Sequence, residues 1–109
     1  MNIPESFPNA PVSWSPELAF EIARKEGLEL GADHWVVILA LQEFFSRHEE
    51  HKRMNRRVLH DALNEKFHHK GGLGYIYRLL PQGPIAQGCR LAGLRAPEGS
   101  VDLSYGSTS

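Results

Sequence analysis

The chain has 109 residues, 41% apolar and 23% charged, which suffices for one compact domain and argues against global disorder or a fibrous repeat. Its longest apolar run, residues 35–41, falls far short of the roughly 20 residues needed to span a bilayer, and residues 1–11 lack the basic and apolar regions of a signal peptide, so a soluble, cytoplasmic protein without membrane contact is expected. A lone Cys89 excludes an intramolecular disulfide and a thiolate cluster, while a net charge of −1 conceals a gradient: seven acids against two basic residues over 1–43, then ten basic residues against four acids over 46–95.

Pro4, Pro8 and Pro11 mark residues 1–12 as an extended arm. Ser15 before Pro16 is an N-cap with proline at the first helical position, and Gly27 is a stop, which predicts a helix closing near Lys25. From Ala32 to about His48, Val37, Leu41, Phe44 and Phe45 recur at helical spacing, and Trp35, Val36, Ile38 and Leu39 widen the apolar surface. This longest helix is the expected core axis, buried on several sides. Residues 48–54 form a charged connection, and Asn55 caps a third helix with Val58, Leu59, Ala62, Leu63 and Phe67 on one face and basic residues on the other. Gly71, Gly72 and Gly74 read as a turn, 75–80 as a short helix stopped by Pro81, and Gly83-Pro84 as the opening of a last helix closed by Gly93.

The expected fold is therefore mainly α, a single-domain bundle of about five helices over residues 13–94. Its core is expected to join Val37, Leu41, Phe44, Phe45, Leu59, Leu63, Phe67, Leu79 and Leu91, with a flexible C-terminal arm over 95–109. No internal repeat and no clear strand pattern emerges.

Six histidines raise a metal site, but His48-x-x-His51 and His68-His69 form no recognised ligand set with Cys89, so neither a metal nor any other cofactor is expected. Cys89 is the only strong nucleophile. It falls near the C-terminal end of its helix, where the dipole disfavours a thiolate, while the adjacent Arg90 favours one. Read locally, these effects oppose each other.

Several segments together carry a resemblance: Glu26-Gly27-Leu28-Glu29-Leu30, His34-Trp35, Glu43-Phe44-Phe45, Lys66-Phe67, Tyr75-Ile76-Tyr77-Arg78-Leu79-Leu80-Pro81-Gln82-Gly83-Pro84, and Gln87-Gly88-Cys89-Arg90-Leu91-Ala92-Gly93-Leu94. Roughly four fifths of the chain resembles the DsrC/TusE family of sulfur-relay proteins. The resemblance implies a small helical domain with a helix-turn-helix-like arrangement and an arm ending in a penultimate cysteine. It also implies sulfur moved as a persulfide or trisulfide, toward sulfite reductase or toward thiolation of transfer RNA. Here Ser100 stands at the carrier-cysteine position and eight residues follow Val101. A serine cannot hold a persulfide. Cys89 matches the family's upstream cysteine, and the N-terminal segment is short for the hairpin many members carry.

Two readings follow. In the first, the protein serves sulfur metabolism, docking a sulfurtransferase or a sulfite-reductase-type partner through Tyr75, Tyr77, Arg78, Gly83 and Pro84, with Cys89 as sulfur acceptor and Arg90 supporting its thiolate. In the second, it is a non-carrier regulator whose Arg53, Arg56 and Arg57 contact nucleic acid or a partner protein; a sequence pI near 6.6 argues against strong DNA binding.

Overall fold

The computed structural model describes residues 6–48 and 56–95. Five α-helices and one 3-10 turn occur among them: α1 (Pro16–Lys25), α2 (Ala32–His48), α3 (Arg56–Lys66), the turn His68–Lys70, α4 (Gly72–Leu79) and α5 (Ala86–Ala92). No strand occurs among the described residues. Residues 96–109 of the arm expected over 95–109, the connection 49–55 with Asn55, and residues 1–5 lie outside them.

Helix α1 starts where extended Ser15 accepts the Leu18 N–H on its Oγ at 3.3 Å, with Pro16 filling a position whose N–H has no helical partner. It ends as the Leu28 N–H reaches back to Ala23 O at 2.8 Å and the Gly27 N–H to Arg24 O, a closure that satisfies the last carbonyls. Helix α5 closes the same way: the Leu94 N–H bonds Cys89 O at 2.8 Å while Gly93 takes a left-handed φ of 77°.

Helix α2 is the axis. Trp35, Val37, Ile38, Ala40, Leu41 and Gln42 are all buried, and α5, α3 and α4 pack against it. Gly88 of α5 makes the α2 contact close, because a Cβ there would lie 2.7 Å from Leu41 Cδ1. Leu59 and Leu63 from α3, Phe67 just after it, Ile76 from α4, Leu80 at its C-cap, and Leu91 from α5 complete one core.

Several sequence expectations shift. Phe44, Phe45 and Leu79 are half-buried and pack on the edge of the core, whereas Val36 and Val58 are 46% and 39% exposed. Helical spacing identifies an apolar face, but the neighbouring helices decide how much of it is covered. Helix α4 begins at Gly72, ahead of the expected Tyr75, because Asn64 Oδ1 of α3 accepts the Leu73 N–H at 3.1 Å and caps the helix from outside it. Gly72 has φ 64°, and a Cβ would meet Asn64 Oδ1. Helix α5 starts at Ala86, later than Gly83-Pro84, although its first bond already runs from the Gln87 N–H to Gly83 O. Residues 6–12 carry no helix, yet a turn at Pro8 and Asn9 brings Phe7 back onto Trp14 and Trp35, with ring centroids 4.8 and 5.9 Å apart.

Candidate functional site

The site begins with α5, whose residues Gln87, Gly88 and Cys89 are all buried. Cys89 is a free thiol at 1% exposure. Burial pushes it up to about 12, against which the neighbouring Arg90 charge acts only as a smaller opposing effect. The local competition between helix dipole and arginine is thus decided by desolvation.

Arg90 is turned to other work. Its Nε donates to Glu26 Oε2 at 2.7 Å, and its Nη2 donates to Glu26 Oε1 at 3.2 Å and Gln82 Oε1 at 2.9 Å. Gln87 Nε2 adds a bond to Glu26 Oε1 at 2.8 Å, and Gln87 Oε1 accepts the Gln82 N–H at 3.0 Å. This network ties the end of α1, the turn after α4 and α5 into one unit. Glu26 is 15% exposed at its side chain and Arg90 38%, so Glu26→Ala is expected to cost about 1–2 kcal/mol by chemical denaturation, after allowing for solvent at Arg90. A loss under about 0.5 kcal/mol would mean the network is ornamental.

The end of α5 is held from two sides. Trp14 Nε1 donates to Leu91 O at 2.7 Å and Gln42 Nε2 to Ala92 O at 3.0 Å, both buried. These two residues fix the C-terminal end of α5, and sequence reading missed both: a tryptophan and a glutamine reaching over 77 and 50 positions leave no local pattern. His34 is likewise structural, accepting the Gly31 N–H on Nδ1 at 3.0 Å and donating from Nε2 to Leu79 O at 2.9 Å.

Among the expected partner-contact residues, Tyr77 is 40% exposed and Arg78 exposed, whereas Tyr75 is half-buried and hydrogen-bonded to Asp33. Burial first, then Asp33, pushes the Tyr75 phenol above its ordinary range. Gly83 and Pro84 are buried in the turn before α5 and present no surface, so their place in the motif is one of packing. Arg56 and Arg57 are exposed at the start of α3, which also carries Asp61 and Glu65; Arg53 lies outside the described residues. No group of three or more metal-ligating side chains occurs among the described residues, and no described helix is long and apolar enough to cross a membrane.

Comparison with known proteins places this geometry in context. A family model described as DsrC like protein matches residues 4–101. The chain is 38% identical over 94 residues to Sulfurtransferase TusE of Salmonella typhimurium, covering 85% of this chain and 84% of that one. It is also 38% identical over 85 residues to Sulfurtransferase TusE of Escherichia coli, covering 77% and 76%. The NMR structure of Allochromatium vinosum DsrC superposes with a TM-score of 0.64 at 35% identity, covering 91% of this chain and 88% of that one.

Proposed function

The chain belongs to the DsrC/TusE family of sulfur-relay proteins, and from that premise we propose that it binds a sulfurtransferase of a cytoplasmic relay while its folded state carries no sulfur on Cys89. The observation that supports this most is the burial of the one thiol, with Ser100 at the position where the family resemblance expects the carrier.

The chemistry supplies the reason. Sulfur acceptance needs a thiolate that attacks the outer sulfur of a donor persulfide, forming a new S–S bond as the donor's S–S bond breaks and its cysteine leaves as thiolate. Cys89 is closed to a donor and holds its proton until about pH 12. Arg90, offered by sequence as thiolate support, has its guanidinium committed to Glu26 and Gln82. The relatives at 38% identity are themselves named Sulfurtransferase TusE, which supports a place for this chain in a sulfurtransferase relay. No observation favours nucleic acid.

The test is thiol reactivity. At pH 8 a disulfide reagent should label native Cys89 roughly a thousandfold more slowly than the denatured chain, following the smaller thiolate fraction. The sign of the stability effect is also fixed. Above the unfolded thiol's ordinary value near 9 and below about 12, the unfolded chain has lost its proton while the folded chain keeps it, so folding stability falls as pH rises through that window. Cys89→Ala should remove that part of the alkaline slope. Labelling at comparable rates in both states would overturn the reading.

A further inference from the structure

A groove of about 740 Å³ runs along α1 between that helix and residues 28–30. Its apolar floor includes Leu18, 37% exposed, with half-buried Phe20 and Leu28. Glu17, Glu21 and Glu29 stand on its rim against the single cation Arg24. Glu17 has a local reason to be there, the positive end of the α1 dipole. Among the described residues none of the three carboxylates makes an ion pair.

The position of the groove matters as much as its charge. Ser13 and Ser15 line one end and flank Trp14, whose indole holds Leu91 O and packs so closely on Gly93 that a Cβ there would lie 2.6 Å from Trp14 Cδ1. The chain leaves α5 at this contact.

We propose that the α1 groove docks a basic amphipathic segment of the relay partner, with leucine-type side chains on the floor and lysine or arginine against the Glu17, Glu21 and Glu29 rim. This rests on the reading above and adds the surface and the partner's chemistry to it. A partner seated there lies beside the end of α5, where Trp14 holds Leu91 O. Charge selects the occupant. The chain's own Val101-Asp102-Leu103-Ser104-Tyr105 has apolar residues but an acid and no cation, the wrong complement for an anionic rim.

The experiment is an NMR titration of the full 15N-labelled chain with a short synthetic amphipathic peptide of leucine and lysine, and with its leucine–glutamate counterpart. The cationic peptide should shift amides of residues 17–30, and the acidic one should leave them in place. Glu17→Lys with Glu21→Lys, both on the exposed face, should weaken the cationic peptide about tenfold or more at low salt. Shifts centred elsewhere, or an affinity indifferent to charge reversal, would overturn the proposal; so would removal of residues 102–109 alone shifting the same amides, because the chain's own end would then fill the groove. The peptide carries no sulfur, so this outcome is independent of relay activity. A sulfurtransferase that binds the chain away from residues 17–30 would leave the relay reading standing and remove the groove.

Discussion

Replacing Trp35 by alanine is expected to lower stability by about 3–5 kcal/mol in urea denaturation followed by far-ultraviolet circular dichroism. Trp35 is 0% exposed and sits where three segments meet: α2, which carries it, α1, which brings Phe20 to a centroid distance of 5.3 Å, and the N-terminal segment, which brings Phe7. An alanine there removes a tryptophan side chain from the core and leaves a void beside the rings of Phe7 and Phe20. A domain of this size is ordinarily stable by about 5–15 kcal/mol, so the loss is a large share of the total. Trp35→Phe separates volume from polarity. The indole Nε1 is buried with no hydrogen-bond partner among the described residues, so phenylalanine discards no bond seen there and relieves a desolvated donor. Its expected loss is below about 1.5 kcal/mol. Equal losses for the two variants would show that the site collapses freely and that Trp35 is not the keystone of this end of the domain.

Gly93→Ala is the second large effect, about 2–4 kcal/mol by the same measurement. Two independent terms build it. The left-handed φ of 77° costs an alanine about 1–2 kcal/mol. The new Cβ must also displace Trp14, whose Cδ1 lies 2.6 Å and Cβ and Cγ 3.0 Å from its ideal position. Trp14 cannot withdraw without loosening its bond to Leu91 O, so the strain passes into the closure of α5. A loss under about 1 kcal/mol would mean that Trp14 and the helix end move together at little cost.

What the sequence discloses is what local chemistry controls. Ser15 with Pro16, and the glycines at 27 and 93, announce helix ends through caps made within a few residues, and those ends stand where they were expected. The density of apolar residues on α2 announces a helix buried on several sides. The misses share a physical source, contacts made from outside the element concerned. Asn64 sets the start of α4 from the preceding helix. The coverage of Val36, Phe44 and Val58 depends on where neighbouring helices stop. Cys89 looked balanced between an opposing dipole and a helpful arginine, but its neighbour is claimed by Glu26, 64 positions away, and its environment is set by burial between helices. Motif residues such as Gly83 and Pro84 were legible as motif, while their packing role was not.

As proposed, the folded chain serves a sulfur relay as a docking member whose only thiol is closed and whose carrier position holds serine. Intact-mass spectrometry after incubation with a persulfide-loaded sulfurtransferase tests it most directly, run on the native chain and on Ser100→Cys. The native chain should keep its mass, and Ser100→Cys should gain about 32 Da, one sulfur atom accepted by a thiol restored where the family carries it. A gain of about 32 Da on the native chain that disappears in Cys89→Ala would contradict the account and return Cys89 to the role of sulfur acceptor.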